Sequence, residues 1–326
     1  MNDLESTAGE FIKALKEIGF RGSLRQNVPI SKMAWYRVGG PALVFAEPET
    51  EEDLFTFRTV QMDYPLRCEL IGGGSNLLVS DDGYRGILVR LAGDFSNLTV
   101  NHEEKTISCG SAVPLAKVIR EGTGIGMGGV ERLAGIPGWV GGAIYMNAGT
   151  YREHMDGLLS EINVLTHNLE YTSLKPEECG FDYRSSIFQK SGDIILNCTI
   201  LGTPTEPGDI SAEIEKRLKR RRETQPVDEA SCGCVFRNPG REKAAARLIQ
   251  DLGLKGVRSG DAVISDVHAN FIINDGSARA RDIISLMALA RNRVREEFGI
   301  ELVPEVQALG FDKTLVEILD EWTENS

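Results

Sequence analysis

The sequence predicts an α+β protein of two or three domains, and three observations support this fold class. The chain has 326 residues, which is too long for one ordinary hydrophobic core. A β-rich stretch runs from Gly86 to about residue 201, whereas helical and strand patterns alternate after Asp209. The glycines bunch in residues 72–74, 122–129 and 135–149, which indicates backbone packed closely around a ligand.

The elements of the first part of the chain are predicted from the period of the apolar residues and from the glycine, proline and acidic residues that bound them. An amphipathic helix covers residues 8–18 and ends at Gly19. Pro48 and a run of acidic residues open a second helix that continues to about Met62. Short apolar runs bounded by turn residues predict strands. The predicted strands are residues 43–46, 68–71, 77–79, 86–91, 105–109, 161–167 and 192–201.

The later elements follow the same reasoning. Residues 114–121 are predicted as a helix, and residues 204–208 as a linker rich in turn formers. Two short strands are predicted at 262–264 and 270–274. The remaining helices are predicted over residues 210–222, 243–252 and 280–298, the last with a regular apolar face.

Composition excludes several classes of partner. The net charge of −12 disfavours non-specific binding to nucleic acid or to anionic lipid. No apolar run reaches the roughly 18 residues that cross a bilayer, and the acidic N-terminus is no signal peptide. The six cysteines are sparse and form no disulfide framework. We therefore expect a cytoplasmic protein with no membrane or nucleic-acid partner, and no metal site.

A glycine-rich loop, Gly72-Gly73-Gly74-Ser75-Asn76, follows a predicted strand. Consecutive small residues let several backbone N–H groups converge on an anion. The loop is neither a GxGxxG fingerprint, because Leu77 replaces the third glycine, nor a P-loop. A phosphate site and a tight turn between two strands both stay open. The stretch 135–149 is equally ambiguous, because it could pack flat against a flavin or form a buried turn.

The segment 231–239 carries a thiol, Cys234, followed closely by an arginine, an amide and a proline. The residues alone allow a redox thiol, a metal ligand, a proton donor or a packing residue. Zinc needs about four ligands, and the histidines of the chain have no standard spacing to these cysteines. A disulfide between Cys232 and Cys234 would be strained.

Several motifs together resemble the UDP-N-acetylenolpyruvoylglucosamine reductase family, whose members are flavoenzymes of peptidoglycan precursor synthesis. The resemblance covers about residues 30–310, and the motifs occur in the same order and at similar spacing. They are Trp35–Ala42, Gly72–Leu78, Ala134–Gly149, Tyr183–Phe188, Gly233–Pro239, His268–Ile272 and Phe298–Val306.

The resemblance implies two FAD-binding domains of the vanillyl-alcohol-oxidase (p-cresol methylhydroxylase) type and a C-terminal α+β substrate-binding domain. The expected boundaries are residues 1–86 with the tail 311–326, residues 87–205, and residues 206–310. Only about 50 residues separate Arg184 from Cys234, so the chain resembles the shorter, type II members.

The implied reaction reduces UDP-N-acetylglucosamine enolpyruvate to UDP-N-acetylmuramate. NADPH reduces FAD, and the reduced flavin delivers hydride to the vinyl carbon, which leaves an enolate that needs a cation and a proton. The residues that the resemblance assigns to FAD are Gly72, Gly73, Gly74, Ser75, Asn76, Gly135, Ile136, Pro137, Gly141, Gly142, Asn147 and Ala148.

Three residues match the catalytic positions of the family. Arg184 matches the arginine that polarises the carboxylate, and Glu305 matches the glutamate placed across from it. Cys234 stands where the family usually has the serine that donates the proton. A thiol with an ordinary pKa of about 8.5 is mostly protonated at neutral pH, so it can act as a donor. The alternative is a flavoprotein of the same fold, or a paralogue with altered or lost activity.

Substrate contacts are expected at Asn238, the amide after the catalytic segment, and at His268, where the resemblance implies a diphosphate contact. The expected partners are therefore UDP-N-acetylglucosamine enolpyruvate and NADPH, and the protein is expected to be a monomer.

Overall fold

The computed structural model describes residues 2–150, 153–240 and 243–322. Its helices are α1 (Asn2–Glu17), α2 (Glu51–Gln61), α3 (Leu115–Gly124), α4 (Val140–Tyr145), α5 (Phe188–Ser191), α6 (Pro207–Thr224), α7 (Ala245–Asp251), α8 (Ala280–Phe298) and α9 (Leu315–Glu321). Its first strands are β1 (Ser23–Pro29), β2 (Pro41–Glu47), β3 (Cys68–Leu70), β4 (Leu77–Val79), β5 (Tyr84–Val89), β6 (Leu98–Asn101), β7 (Thr106–Gly110), β8 (Met127–Gly128) and β9 (Gly149–Thr150). The later strands are β10 (Glu153–His154), β11 (Leu159–Leu165), β12 (Tyr171–Leu174), β13 (Ile194–Leu201), β14 (Thr203–Pro204), β15 (Arg258–Ser259), β16 (Ala262–Ile264), β17 (Ile272–Asn274) and β18 (Gln307–Leu309).

The chain forms two compact units. The first comprises residues 1–26, 44–73 and 86–220, and the second comprises residues 27–43, 74–85 and 221–326. The three-domain division expected from the sequence stays a prediction, and residues 323–326 of its C-terminal tail lie outside the described ranges. No helix in those ranges combines the length and the apolar composition that spanning a membrane requires.

The first unit begins with helices α1 and α2 and holds most residues of the sheet with strand order β1-β2-β5-β3. Helix α2 starts where the Oγ1 of Thr50 accepts a hydrogen bond of 3.0 Å from the backbone N–H of Asp53. The rings of Phe11 and Phe57 meet edge to face with centroids 5.7 Å apart, which joins the two helices.

A larger antiparallel sheet of order β12-β11-β13-β7-β6 also belongs to the first unit. Alternate residues of β7 and β13 enter a core that also takes the apolar sides of α3 and α4. The predicted linker 204–208 is wrong in its second half, because α6 begins at Pro207. A proline suits the first turn of a helix, where its missing N–H has no intrahelical partner.

The second unit packs helices α7, α8 and α9 with the sheet β15-β16-β17. Helix α8 is confirmed over the predicted residues, because its regular apolar stripe, with Ile283, Met287 and Val294, is fully buried. A parallel pair of β18 and β4 completes this unit. This pair brings residues near 76 beside residues near 306.

Candidate active site

The first half of the glycine loop lies in the first unit and offers free backbone donors. The N–H groups of Gly72 and Gly73 make no hydrogen bond within the described ranges. A Cβ on Gly72 would meet no atom within 4 Å, whereas one on Gly73 would lie 3.1 Å from Cδ1 of the Trp139 indole. A Cβ at residue 73 would therefore crowd Trp139, whereas space is left in front of Gly72.

The second half of the loop belongs to the second unit. Gly74 has a φ of +72°, and a Cβ there would lie 2.3 Å from the carbonyl oxygen of Met33. Its own carbonyl accepts a hydrogen bond of 3.0 Å from the N–H of Trp35. Ser75 and Asn76 follow and lead into β4. Backbone packing therefore demands a glycine at 74 within this unit.

The stretch 135–149 is not the plain turn that one interpretation of the sequence offered, because it contains the short helix α4. Gly135 and Gly138 have φ values of +77° and +105°, so the turn around Ile136 and Pro137 depends on them. The N–H of Gly141 donates to the carbonyl of Ser111 at 2.8 Å.

Next to that contact, the first unit has an open glycine and an unpartnered buried hydroxyl. A Cβ on Gly142 would meet no atom within 4 Å, and Gly142 is exposed. The buried Oγ of Ser111 has no hydrogen-bond partner in the described part of the chain. Open glycine backbone, free N–H groups and a buried hydroxyl fit a large ligand with many acceptors, as FAD is.

Asn147 is almost fully buried and uses its side chain inside the protein. Its Nδ2 donates to the carbonyl of Asp182 at 3.2 Å, and its Oδ1 accepts from the N–H of Asp156 at 3.0 Å. Its φ is +42°, a conformation that asparagine tolerates better than most residues. Ala148 follows, and its carbonyl accepts from Met155 at 2.9 Å. Asn147 therefore anchors the segment that carries Arg184.

Arg184 occupies a strained position in a tight turn. Asp182 and Ser185 exchange two backbone hydrogen bonds of 3.1 Å, and Arg184 between them has a φ of +55°. Its Nη2 donates to the carbonyl of Gly149 at 2.9 Å, and its guanidinium lies 5.2 Å from the centroid of the Tyr183 ring. The turn and these contacts fix the direction of a permanent cation.

In the second unit, backbone pairing brings the Cys234 segment beside the Glu305 segment. The N–H of Glu305 donates to the carbonyl of Val235, the residue after Cys234, at 2.8 Å. Phe236 pairs with Pro304 as an isolated antiparallel bridge. Two of the residues predicted as catalytic thus stand on adjacent extended segments.

Asn76, predicted to bind the cofactor, contacts the same segment. Its Nδ2 donates to the carbonyl of Glu305 at 3.0 Å, and its own carbonyl accepts from the N–H of Gln307 at 3.0 Å. The amide end of Asn76 therefore stabilises the position of Glu305. This use could not be read from sequence, because 229 positions separate the two residues.

Two buried groups and one cation lie in or near the Cys234 segment. The Sγ of Cys232 donates to the carbonyl of Leu77 at 3.1 Å, and burial raises the pKa of this thiol to about 12. Burial also raises the pKa of Tyr36 well above its usual value, with Cys232 and Cys234 adding to the rise. Burial lowers the pKa of the Arg221 guanidinium, and the neighbouring Cys234 opposes that shift. Cys232 is a core residue, whereas Cys234 is only half-buried.

The two residues predicted to contact substrate differ in their surroundings. The side chain of exposed Asn238 accepts a hydrogen bond of 3.0 Å from the N–H of Ala245, at the start of α7. His268 packs edge to face on Phe271 at 4.8 Å, and its buried Nδ1 has no partner among the described residues. Burial, with a smaller contribution from Lys255, lowers the pKa of His268.

Three residues near the proposed site residues have no role predicted from the sequence. Trp139 covers Gly73, Ser111 lies under Gly141, and Asn270 holds the backbone of Phe236. Asn270 and Trp139 stand in motifs used for the resemblance, but no role is predicted for either. No pattern along the chain indicates Ser111, because its partner is distant in sequence.

Two parts of the chain match known protein domains. Residues 42–166 match an FAD binding domain, and residues 225–309 match the C-terminal domain of UDP-N-acetylenolpyruvoylglucosamine reductase. With the mixed helices and sheets of the structure, this confirms the α+β fold class, a flavin-binding fold followed by a C-terminal α+β domain.

The relatives then identify the family. The chain is 36% identical over 289 residues to UDP-N-acetylenolpyruvoylglucosamine reductase 2 of Symbiobacterium thermophilum, covering 89% of this chain and 93% of that protein. It is 38% identical over 317 residues to the reductase of a Synechococcus species, covering 94% and 99% of the two chains. The crystal structure of the reductase from Thermus caldophilus superimposes with a TM-score of 0.75 at 34% identity, over 89% and 99% of the two chains. The chain belongs to the UDP-N-acetylenolpyruvoylglucosamine reductase family.

Proposed function

We propose that this protein uses FAD and NADPH to reduce UDP-N-acetylglucosamine enolpyruvate to UDP-N-acetylmuramate, a step of peptidoglycan precursor synthesis. Family membership supports the reaction. The structural observation that supports it most is the hydrogen bond from the N–H of Glu305 to the carbonyl of Val235. It sets the segment that carries Glu305 beside the segment that carries Cys234, so a carboxyl group and a thiol, both able to donate a proton, belong to one part of the second unit.

The proposed FAD contacts begin with open glycine backbone. In the first unit, Gly72, Gly73 and Gly142 would approach the cofactor closely, and the Ser111 hydroxyl would donate a hydrogen bond. When bound, FAD supplies the transfer of hydride from NADPH to the vinyl carbon. The other FAD residues expected from sequence belong to this proposal unchanged. They are Gly74, Ser75, Asn76, Gly135, Ile136, Pro137, Gly141, Asn147 and Ala148.

Arg184 is proposed to stabilise the negative charge that develops on the substrate carboxylate. A guanidinium stays charged at any working pH and can grip a carboxylate with two parallel hydrogen bonds. The left-handed backbone of Arg184 costs about 1–3 kcal/mol, and the anchoring of its turn by Asn147 offsets that cost. A strained residue held in this way supports a role at the reacting centre.

Cys234 is proposed to protonate the enolate, with Glu305 acting on the same side of the substrate. The thiol is half-buried, and a thiol S–H can donate its proton. Asn238 and His268 are proposed substrate contacts. The buried Nδ1 of His268 supports its assignment, because it has no partner among the described residues and a buried ring nitrogen needs one. A monomeric state and a cytoplasmic location stay predictions.

One observation favours a second candidate function. The thiol at 234 stands where relatives are expected to have a hydroxyl, so the protein could be a paralogue that reduces the substrate slowly or reduces a different acceptor. A thiol is also open to oxidation, which a serine is not. Replacing Cys234 by serine separates the two candidates, because a large gain in rate would favour the paralogue.

The test of the proposed function is an assay of the purified, FAD-loaded protein. We expect NADPH consumption that depends on UDP-N-acetylglucosamine enolpyruvate, and a product heavier than the substrate by two hydrogens. UDP-N-acetylglucosamine, which lacks the vinyl ether, is the matched negative substrate. NADPH consumption that is equal with both sugars, without a reduced product, would contradict the proposal.

A further inference from the structure

One buried amide holds the segment that carries the proposed proton donor. Asn270 is 1% exposed. Its Nδ2 donates to the carbonyl of Phe236 at 2.8 Å, and its Oδ1 accepts from the N–H of Phe236 at 3.1 Å. One side chain thus satisfies both backbone groups of a single residue, in the way that a neighbouring strand would.

The backbone of Asn270 continues the same contact. The N–H of Val235 donates to the carbonyl of Asn270 at 2.9 Å, and the carbonyl of Val235 accepts from Glu305 at 2.8 Å. The residues that follow Cys234 therefore lie between Asn270 on one side and the Glu305 segment on the other. Regular strand pairing is absent among these described segments, which meet only as isolated bridges, so few hydrogen bonds set their register.

We propose that Asn270 is a positioning residue for the reaction. It fixes the register of the Cys234 segment against the Glu305 segment, and so fixes where the thiol presents its proton. The inference rests on the proposed function for its catalytic meaning. Without the amide, both backbone groups of Phe236 would be buried and unpaired, which favours displacement of the segment. A shift of about 1 Å at a reacting group can cost about 100-fold in rate.

Substitution by aspartate gives a test that depends on pH. In Asn270→Asp, one carboxylate oxygen still accepts from the N–H of Phe236, but the other faces the carbonyl of Phe236 with no proton between them. Burial and this repulsion raise the pKa of the new carboxyl. As the pH falls, the protonated acid regains a donor, so positioning should recover. Asn270→Ala has neither group and cannot recover.

The experiment measures kcat and KM of the full-length, FAD-loaded variants between about pH 5 and 8. We expect Asn270→Ala to lower kcat about 100-fold at every pH, with little change in KM. Asn270→Asp should resemble it at high pH and regain activity relative to it as the pH falls. The matched control is Asn163→Ala, which removes a half-buried amide of β11, one that donates to the Oδ1 of Asn197 at 2.8 Å. It should lose stability and keep kcat.

A readout without turnover keeps the inference separate from the proposed function. Iodoacetamide alkylation of Cys234, followed by peptide mapping, should be about tenfold faster in Asn270→Asp at neutral pH than in the wild type. Cys68 serves as the internal reference. If the wild type is inactive but alkylation of Cys234 is still faster in Asn270→Asp, the positioning inference stands and the proposed function is refuted. Should Asn270→Ala not fold, Asn270→Asp decides alone. Unchanged alkylation, or an Asn270→Asp activity that does not recover at low pH, would overturn the inference.

Discussion

The backbone N–H of Glu305 donates a hydrogen bond of 2.8 Å to the carbonyl oxygen of Val235. Glu305 also receives support from Asn76, whose Nδ2 donates to its carbonyl at 3.0 Å. The segment that carries the proposed glutamate is therefore held from two directions inside the second unit. The residue before Val235 is Cys234, the proposed proton donor.

Substitution of Cys234 tests whether its thiol donates the proton to the enolate. Cys234→Ser should keep kcat within about tenfold of the wild type, because a hydroxyl can also donate a proton. Cys234→Ala should lower kcat by about 10²–10⁴-fold, while NADPH still reduces the bound flavin at the wild-type rate. Stopped-flow absorbance measures the two half-reactions separately.

The matched control for this substitution is Cys232→Ala, which removes a thiol two residues away. Cys232 is buried against the carbonyl of Leu77, so its loss should cost stability and leave kcat unchanged. Wild-type kcat in Cys234→Ala would exclude this thiol as the donor.

Removal of the Arg184 guanidinium should slow the reduction of the substrate. Arg184→Gln is expected to lower kcat by about 10²–10³-fold, since charge developing on the carboxylate loses its cation. Arg184→Lys should recover part of that loss, because lysine keeps the charge but not the planar fork. Steady-state kinetics with the enolpyruvyl substrate measure both.

Lys105 offers a closely matched control for Arg184. It is also a cation with left-handed backbone, at φ +55°, and its Nζ donates to the carbonyl of Ile125 at 2.7 Å. Lys105→Gln should leave kcat unchanged. An equal loss in the two glutamine variants would show that the loss is not specific to the Arg184 guanidinium.

A methyl group on Gly72 tests the proposed flavin contact. Gly72→Ala meets no protein atom within 4 Å, so the unfolding free energy of the flavin-free protein should change by no more than about 0.5 kcal/mol. Flavin affinity should fall by about 1–3 kcal/mol, because the methyl group occupies space needed by the ligand. Fluorescence titration with FAD measures it.

The control for Gly72 is Gly9→Ala in helix α1, which also meets no atom within 4 Å. It should leave flavin affinity unaltered and stabilise the helix by about 0.5–1 kcal/mol. Wild-type flavin affinity in Gly72→Ala would place the cofactor elsewhere.

His268 makes stability depend on pH. Its pKa in the folded protein is lowered by burial, so the unfolded chain takes up the proton first as the pH falls below about 6.5. Stability should therefore decrease as the pH falls through that value towards the folded pKa, and should level off below it. Urea unfolding of the wild type and of His268→Gln measures this slope. The glutamine variant should show a shallower slope, and an identical slope in both proteins would contradict the shift.

Sequence and structure agree where a regular pattern decides the element. Helix α8 was predicted over its observed residues because its apolar stripe repeats with the helical period along its whole length. Helix α4 was missed because Gly141 and Gly142 disfavour a helix. Tertiary hydrogen bonds, such as the one from Val140 to the carbonyl of Val113, hold it in place instead.

The site shows the same division. The resemblance indicates which loops and segments carry the site residues. It does not indicate which partners their side chains contact. Asn147 and Asn76 were predicted to bind FAD, and each uses its amide to hold another backbone segment. Such amide contacts join residues far apart in the chain, so no local pattern reports them.

The most direct test of the account is an anaerobic titration of the purified, FAD-loaded protein followed by its visible absorption. NADPH should bleach the flavin, and UDP-N-acetylglucosamine enolpyruvate added afterwards should restore the colour and yield UDP-N-acetylmuramate in equal amount. A flavin that NADPH bleaches and this substrate leaves bleached would contradict the account.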